Sequence, residues 1–151
     1  MQKLLNIIEQ LALQIPNADR INHEVSDANI GWHIEHSCLV IIRIADTIVK
    51  SDPKNYTTKF NFLKLIVFIK GKFPRGRAKA PASVIPTENI TKEHLLVSID
   101  NAKKAINEII GCNKNQFFLH PIFGNLNVPN TLKFFGIHTR HHLLIIQDIL
   151  K

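Results

Sequence analysis

The sequence predicts an all-α fold: one domain, residues 1–151, forming a bundle of four long helices with an additional short helix and ordered loops. Two observations lead to this class. Apolar residues recur at steps of three and four over most of the chain, which is the spacing of amphipathic helices. No stretch alternates apolar and polar residues for long enough to indicate a strand, so no sheet is expected.

Five segments show the helical spacing, and residues typical of helix ends bound them. Pro16 ends the first helix, and Asn29 is a suitable N-terminal cap for the second. Thr91 is the predicted cap of the fourth, and Gly111 suits its C-terminal end. In chain order the predicted helices cover residues 4–15, 30–50, 60–71, 92–110 and 130–150. Residues 72–90 and 120–130 are predicted loops because proline, glycine and asparagine are frequent there.

Composition narrows the cellular setting. The net charge of +7 favours anionic partners in general. Cys38 and Cys112 form no CxxC pair, and the first residues make a poor signal peptide, so two reduced thiols and a cytoplasmic location are expected. The longest apolar runs carry charges and fall well short of the roughly 20 residues that a membrane span needs, so no membrane partner is expected.

The last helix carries a histidine pair in the stretch "FFGIHTRHHLLIIQDIL". With about 100° of rotation per residue, His138 and His142 fall in the middle of the apolar stripe, opposite Arg140. Burying an imidazole without a partner costs a few kcal/mol. Residues four apart point the same way, so both rings can bind one ion, and Zn, Ni, Cu and Fe accept such ligands. The alternative is that both rings donate to backbone carbonyls inside the bundle.

A third ligand has to come from another segment. The second helix, "GWHIEHSCLVIIRIADTIV", is apolar on most of its surface and has one polar strip that contains His36 and Arg43. This strip either faces water or lines a pocket, and the residues alone leave both alternatives open. His33 is a rival ligand. Arg43 is a candidate for pairing with a substrate carboxylate, and an ion pair with Asp46 is the alternative.

The order of three short motifs resembles the DinB-like superfamily over nearly the whole chain. "GWHIEH" begins the second helix, "HPIFGNL" follows the fourth, and "HTRHH" lies on the last. The resemblance implies a four-helix bundle that binds a divalent metal ion (Zn, Ni or Fe) through three histidines. Carried over residue by residue, these are His36, His138 and His142. It gives no role to His33, His120 or His141.

The resemblance also implies a function. Characterised relatives include transferases and isomerases that use low-molecular-weight thiols. A metal-dependent S-transferase acting on a small molecule is therefore expected, or a hydrolase, since an open coordination position activates either a thiol or water. The alternative is a non-catalytic bundle that binds a metal or a small ligand. A homodimer is a further hypothesis.

A basic loop is a separate feature of the sequence. Five Lys and Arg side chains fall within residues 70–79. Such a cluster could bind nucleic acid. Only one aromatic residue, Phe73, is interleaved with these charges, and no docking motif is evident, so nucleic acid is the least favoured partner and a solvated or substrate-guiding loop is preferred.

Overall fold

Five α-helices dominate the structure, a computed structural model that describes residues 2–73, 81–86 and 90–151. The helices are α1 (Gln2–Ala12), α2 (Ile30–Val49), α3 (Phe62–Lys70), α4 (Lys92–Ile110) and α5 (Val128–Ile149). Three short 3₁₀ turns lie at Ile15–Asn17, Pro53–Asn55 and Ala82–Val84. The five predicted helices are thus present, with ends that differ by a few residues from the predicted ones.

Local capping explains where the helices begin. Asn29 and Thr91 accept hydrogen bonds from backbone N–H groups in the first turns of α2 and α4, as predicted. Asn127 does the same for α5 and so starts that helix at Val128, two residues before the predicted start. Gly71 ends α3 in the left-handed conformation (φ 62°), which glycine adopts without steric cost.

The all-α prediction needs one correction. Two short strands, β1 (Phe117–His120) and β2 (Gly124–Asn127), form an antiparallel hairpin; β2 and the last residue of β1 lie within the predicted loop 120–130. Each strand has only four residues, too few for alternation to stand out in the sequence. Gly124, at φ 71°, follows the three-residue turn and allows the chain to reverse.

The four long helices share one core. In the ring of packed pairs, α1 lies against α5, α5 against α2, α2 against α4, and α4 against α1. The side of α2 that faces the core is fully buried. Among the described residues, α5 is the only helix with which α3 makes substantial contacts. Among the described residues, no helix combines the length and apolarity needed to cross a bilayer. The packing of α2 on α5 sets the position of the histidines.

Candidate metal centre

Three histidines from α2 and α5 converge between these helices. The ring centroids of His36 and His138 are 5.1 Å apart, and each ring lies 4.7 Å from that of His142. One nitrogen from each residue can be chosen so that all three lie within 4.8 Å of one another. The structure thus brings together the three residues that the resemblance implied, and leaves no doubt that the ring of His36 faces the pair on α5.

The donor set fits a divalent ion. Three nitrogens bound to one tetrahedral ion at about 2.0–2.1 Å lie roughly 3.4 Å apart, so these rings can share an ion with only small movements. Nδ1 of His138 is buried and has no hydrogen-bond partner among the described residues, which is costly unless something binds the ring. Neutral imidazoles are good ligands for Zn, Ni and Fe.

The backbone fixes the tautomer of His36. Its Nδ1 lies 2.8 Å from the carbonyl oxygen of Val84, and only a protonated nitrogen can donate to that acceptor. The proton on Nδ1 leaves Nε2 with a free lone pair, which is the state that a ligand needs. The indole of Trp32 stacks on the same ring, with centroids 4.9 Å apart and planes inclined by 12°. His36 is therefore held in one tautomer and one orientation.

A chain of polar groups stands behind His142. Its Nδ1 lies 3.0 Å from Nδ1 of His33, and Nε2 of His33 lies 3.0 Å from Oγ of Ser26. One tautomer assignment leaves Nε2 of His142 free to bind: His142 then donates to His33, and His33 donates to Ser26. The backbone N–H of Ala28 also donates to Ser26 Oγ, at 3.2 Å. His33, the rival ligand, thus lies behind His142 and orients it.

Burial keeps these rings neutral. The pKa values of His138 and His142 lie well below the ordinary value, because the rings are desolvated and because neighbouring histidines disfavour a positive charge. Burial, followed by the effects of His36 and His141, lowers the pKa of His33 to about 4. Burial also lowers the pKa of His36, against the opposing effect of its bond to Val84. All four imidazoles are therefore uncharged near pH 7, as metal binding requires.

No carboxylate takes part in this cluster. The hydrogen bonds and ion pairs of the described residues join His33, His36, His138 and His142 to no Asp or Glu. The other neighbours are aromatic: the rings of Phe134 and Phe73 lie 5.6 and 6.3 Å from that of His138. A cation bound here would find uncharged nitrogen ligands in an apolar wall.

A cleft of about 210 Å³ adjoins the cluster. Phe73 and His141 line it, and each also contacts the cluster, since Phe73 meets His138 and the ring of His141 lies 5.3 Å from that of His142. The remaining lining residues are Gly71, Lys72, Ile137, Arg140 and Leu144. The cleft thus combines apolar walls with two exposed cations, Lys72 and Arg140, and it shares Phe73 and His141 with the surroundings of the three histidines.

The other sequence candidates lie elsewhere. Arg43 is exposed, so it does not line a buried part of the pocket, and its pairing with a substrate carboxylate stays a prediction. Nδ1 of His120 accepts hydrogen bonds from the backbone N–H groups of Ile122 and Phe123 and so holds the hairpin turn, a structural role. Lys70 and Lys72 of the basic loop are exposed, whereas residues 74–80, which hold the rest of that loop, are outside the described residues.

Sequence reasoning missed a second buried polar pair. Nε2 of His94, in the first turn of α4, lies 3.1 Å from Oε1 of Glu35 on α2. Glu35 is only 4% exposed. Glu35 is flanked by Ile34 and His36, so an acidic residue within an apolar stretch of α2 was the available signal.

Comparison with known proteins found no relative of this chain. No protein-family model matches the chain. No curated protein and no solved structure is significantly similar to it either. Arguments about function therefore rest on the geometry of the site and on the motifs that resemble the DinB-like superfamily.

Proposed function

We propose that the protein is a divalent-metal-dependent enzyme of the DinB-like type that transfers a low-molecular-weight thiol to a small electrophilic substrate. The single observation that carries this proposal is the convergence of His36, His138 and His142, with ligand atoms within 4.8 Å of one another. Three neutral imidazoles leave at least one coordination position open, which is typical of catalytic and not of structural sites.

The surroundings favour thiol transfer over hydrolysis. A divalent ion in this site would lower the pKa of a thiol or a water molecule that binds it. Hydrolysis usually also needs a general base; the hydrogen bonds and ion pairs of the described residues place no carboxylate against these rings, and His141 in the adjoining cleft is the available imidazole. A thiol that has lost its proton is already a strong nucleophile. The aromatic wall formed by Phe73 and Phe134 keeps water away from it.

The chain's own residues have distinct tasks in this proposal. His36, His138 and His142 hold the ion, while Val84 and His33 orient two of these rings through hydrogen bonds. The thiol sulfur attacks an electrophilic carbon of the substrate, the S–C bond forms, and the leaving group departs with its bonding electrons. Lys72 and Arg140 line the adjoining cleft and suit an anionic group on the thiol or on the substrate.

The experiment has two stages. Elemental analysis of the purified protein should find close to one Zn, Ni or Fe ion per chain, and His138→Ala should lose it. His23→Ala is the matched control, because His23 is an exposed loop histidine whose side chain is 73% accessible. Failure of the wild-type chain to retain or take up any of these ions would contradict the proposal.

The second stage tests the reaction. Metal-loaded protein is mixed with glutathione, or with bacillithiol or mycothiol, and monochlorobimane, whose thiol adduct is fluorescent. Adduct formation should exceed the background rate in the wild type and in His23→Ala and return to background in His138→Ala. Loaded protein that is inactive here but cleaves a p-nitrophenyl ester would favour hydrolysis. Loaded protein inactive in both assays would favour the alternative, a non-catalytic metal-binding bundle.

A further inference from the structure

The apolar face of α3 points outward, away from the core. On this helix Val67 is buried, whereas Phe62, Leu65 and Ile69 are 65%, 44% and 75% exposed. At 100° per residue these three lie within one arc opposite Val67. A helix of a soluble domain normally turns its apolar stripe to the core. α3 instead leaves one apolar side uncovered, while Val67 and the half-buried Phe68 pack against the core.

Neighbouring residues extend this face. Phe60, just before α3, is 83% exposed. The side-chain amide of Asn61 donates to the carbonyl oxygen of Ile122 at 2.8 Å, which ties the hairpin turn to the start of α3 and places Ile122, 48% exposed, beside it. We call this set the α3 surface; its members are Phe60, Phe62, Leu65, Ile69 and Ile122. Contiguous exposed apolar side chains of this kind mark an interaction site.

Positive charge is concentrated in the stretch of sequence that contains α3. Residues 53–87 contain eight of the nineteen Lys and Arg residues and no Asp or Glu, so this segment accounts for the entire net positive charge of the protein. Among the described members, Lys59, Lys70 and Lys72 are exposed and lie at the two ends of α3. The α3 surface thus combines protruding aromatic and aliphatic side chains with a cationic rim.

We propose that the α3 surface docks on the surface of an anionic lipid bilayer. An interface of this kind takes up aromatic and aliphatic side chains at the level of the acyl chains, while lysines meet the headgroup phosphates. This is contact at the membrane surface and not a span, and it departs from the sequence-based expectation that no membrane is involved. The proposal is independent of the proposed enzymatic function.

Two other occupants fit less well. A second copy of the chain, paired through the same surface, would bring two cationic rims together without any acidic residue from this segment to offset them. A nucleic acid would match the lysines, but the exposed aliphatic side chains Leu65 and Ile69 would find no counterpart on its phosphate backbone. A bilayer satisfies both the charge and the apolar side chains.

The test is co-sedimentation of the full chain with vesicles of phosphatidylcholine and phosphatidylglycerol at 7:3, and with phosphatidylcholine alone. Binding is expected to the anionic vesicles, to weaken with added salt, and to be weak or absent with the neutral ones. The double variant Phe62→Ser/Ile69→Ser should reduce the partition coefficient by about tenfold or more, since both residues insert into the interface. Both side chains are largely exposed, so the fold should survive, which circular dichroism checks.

A matched control separates docking from general surface apolarity. Leu13 is 72% exposed on another part of the molecule, and Leu13→Ser should leave vesicle binding unchanged. Lack of binding to the anionic vesicles, or equal losses in Leu13→Ser and in the double variant, would overturn the proposal. In that event, a dimer or an oligonucleotide complex that Phe62→Ser/Ile69→Ser disrupts would identify what covers the α3 surface instead.

Discussion

Two neighbouring residues of α2, Glu35 and His36, are equally buried, at 4% exposure each, but their surroundings differ completely. Glu35 faces α4 and pairs with His94, so a carboxylate and an imidazole compensate each other there. His36 faces α5 and meets two further imidazoles, with no acidic group among its described partners. In the first site Oε1 of Glu35 has its partner within the chain, whereas Oε2 is buried with no hydrogen-bond partner among the described residues. The second gathers lone pairs that only an external cation can use.

This contrast shows how a buried histidine can be interpreted. An imidazole beside a carboxylate has a hydrogen-bond partner within the chain and contributes to the fold. An imidazole surrounded by others is held neutral, as the lowered pKa values of His138 and His142 indicate, and it remains available as a ligand. One side of α2 therefore carries a structural polar pair and the other a candidate functional site. Variants at one site can serve as controls for variants at the other.

The largest expected effect is on the gain in free energy of unfolding that a bound metal ion gives, and this gain distinguishes the two sites. Zinc at about 100 times its dissociation constant should raise the free energy of unfolding of the wild type by about 2.7 kcal/mol. His142→Ala should remove this gain because it removes a ligand. Glu35→Gln should retain it, because Glu35 faces the other side of α2. Thermal unfolding with and without zinc measures the difference, and an equal loss in both variants would contradict the separation.

The second prediction concerns the residue behind His142. His33→Phe keeps the ring volume but removes the hydrogen bond to Nδ1 of His142. Loss of such an outer partner typically lowers metal affinity by about 10–100-fold. Isothermal titration with zinc should show this drop with the stoichiometry unchanged. The control is Ser37→Ala, whose hydroxyl donates to the carbonyl of His33 within α2; zinc affinity should change little. Unchanged affinity in His33→Phe would rule out the orienting role.

The third prediction concerns the structural pair. His94→Ala leaves the carboxylate of Glu35 buried without its partner, which should lower the free energy of unfolding by about 1–2 kcal/mol, an estimate reduced because His94 is partly exposed. Adding Glu35→Met should recover part of the loss, since it removes the uncompensated charge. Urea denaturation measures both variants. If Glu35→Met lowers the free energy of unfolding further, the pair stabilises the fold through packing and not through charge compensation.

The smallest effect is a pH dependence centred on the hairpin. Burial lowers the pKa of His120 to about 4, whereas an unfolded chain titrates near the ordinary value of 6.5. Between pH 6.5 and 4 the unfolded state therefore binds a proton that the folded state does not, and stability falls as the pH decreases through this window. The loss attributable to His120 should be about 1 kcal/mol after allowance for its partial exposure.

The variant His120→Asn isolates that contribution. The amide oxygen can accept the same two backbone N–H groups that Nδ1 accepts, and it does not titrate. Denaturation at pH 7 and at pH 4.5 should show a smaller difference for this variant than for the wild type. Equal differences would place the acid sensitivity in the other buried histidines.

The sequence by itself determined the helices, since the spacing of apolar residues and the capping side chains Asn29 and Thr91 act within a few residues of chain. It also determined that His138 and His142 share one face of α5, because residues four apart on a helix always do. The DinB-like motifs added His36 as an implied ligand, and the concentration of positive charge in residues 53–87 can be read directly from the chain.

Only the tertiary structure decided that His36 turns toward α5 while Glu35 turns toward α4, because helical spacing does not specify which neighbour each side of a helix will meet. The bond between His33 and His142 joins segments far apart in sequence and depends on how α2 packs against α5. The outward orientation of α3 was equally hidden, since an amphipathic pattern is the same whether its apolar face meets the core or another surface. Local periodicity sets the elements, and long-range packing sets their partners.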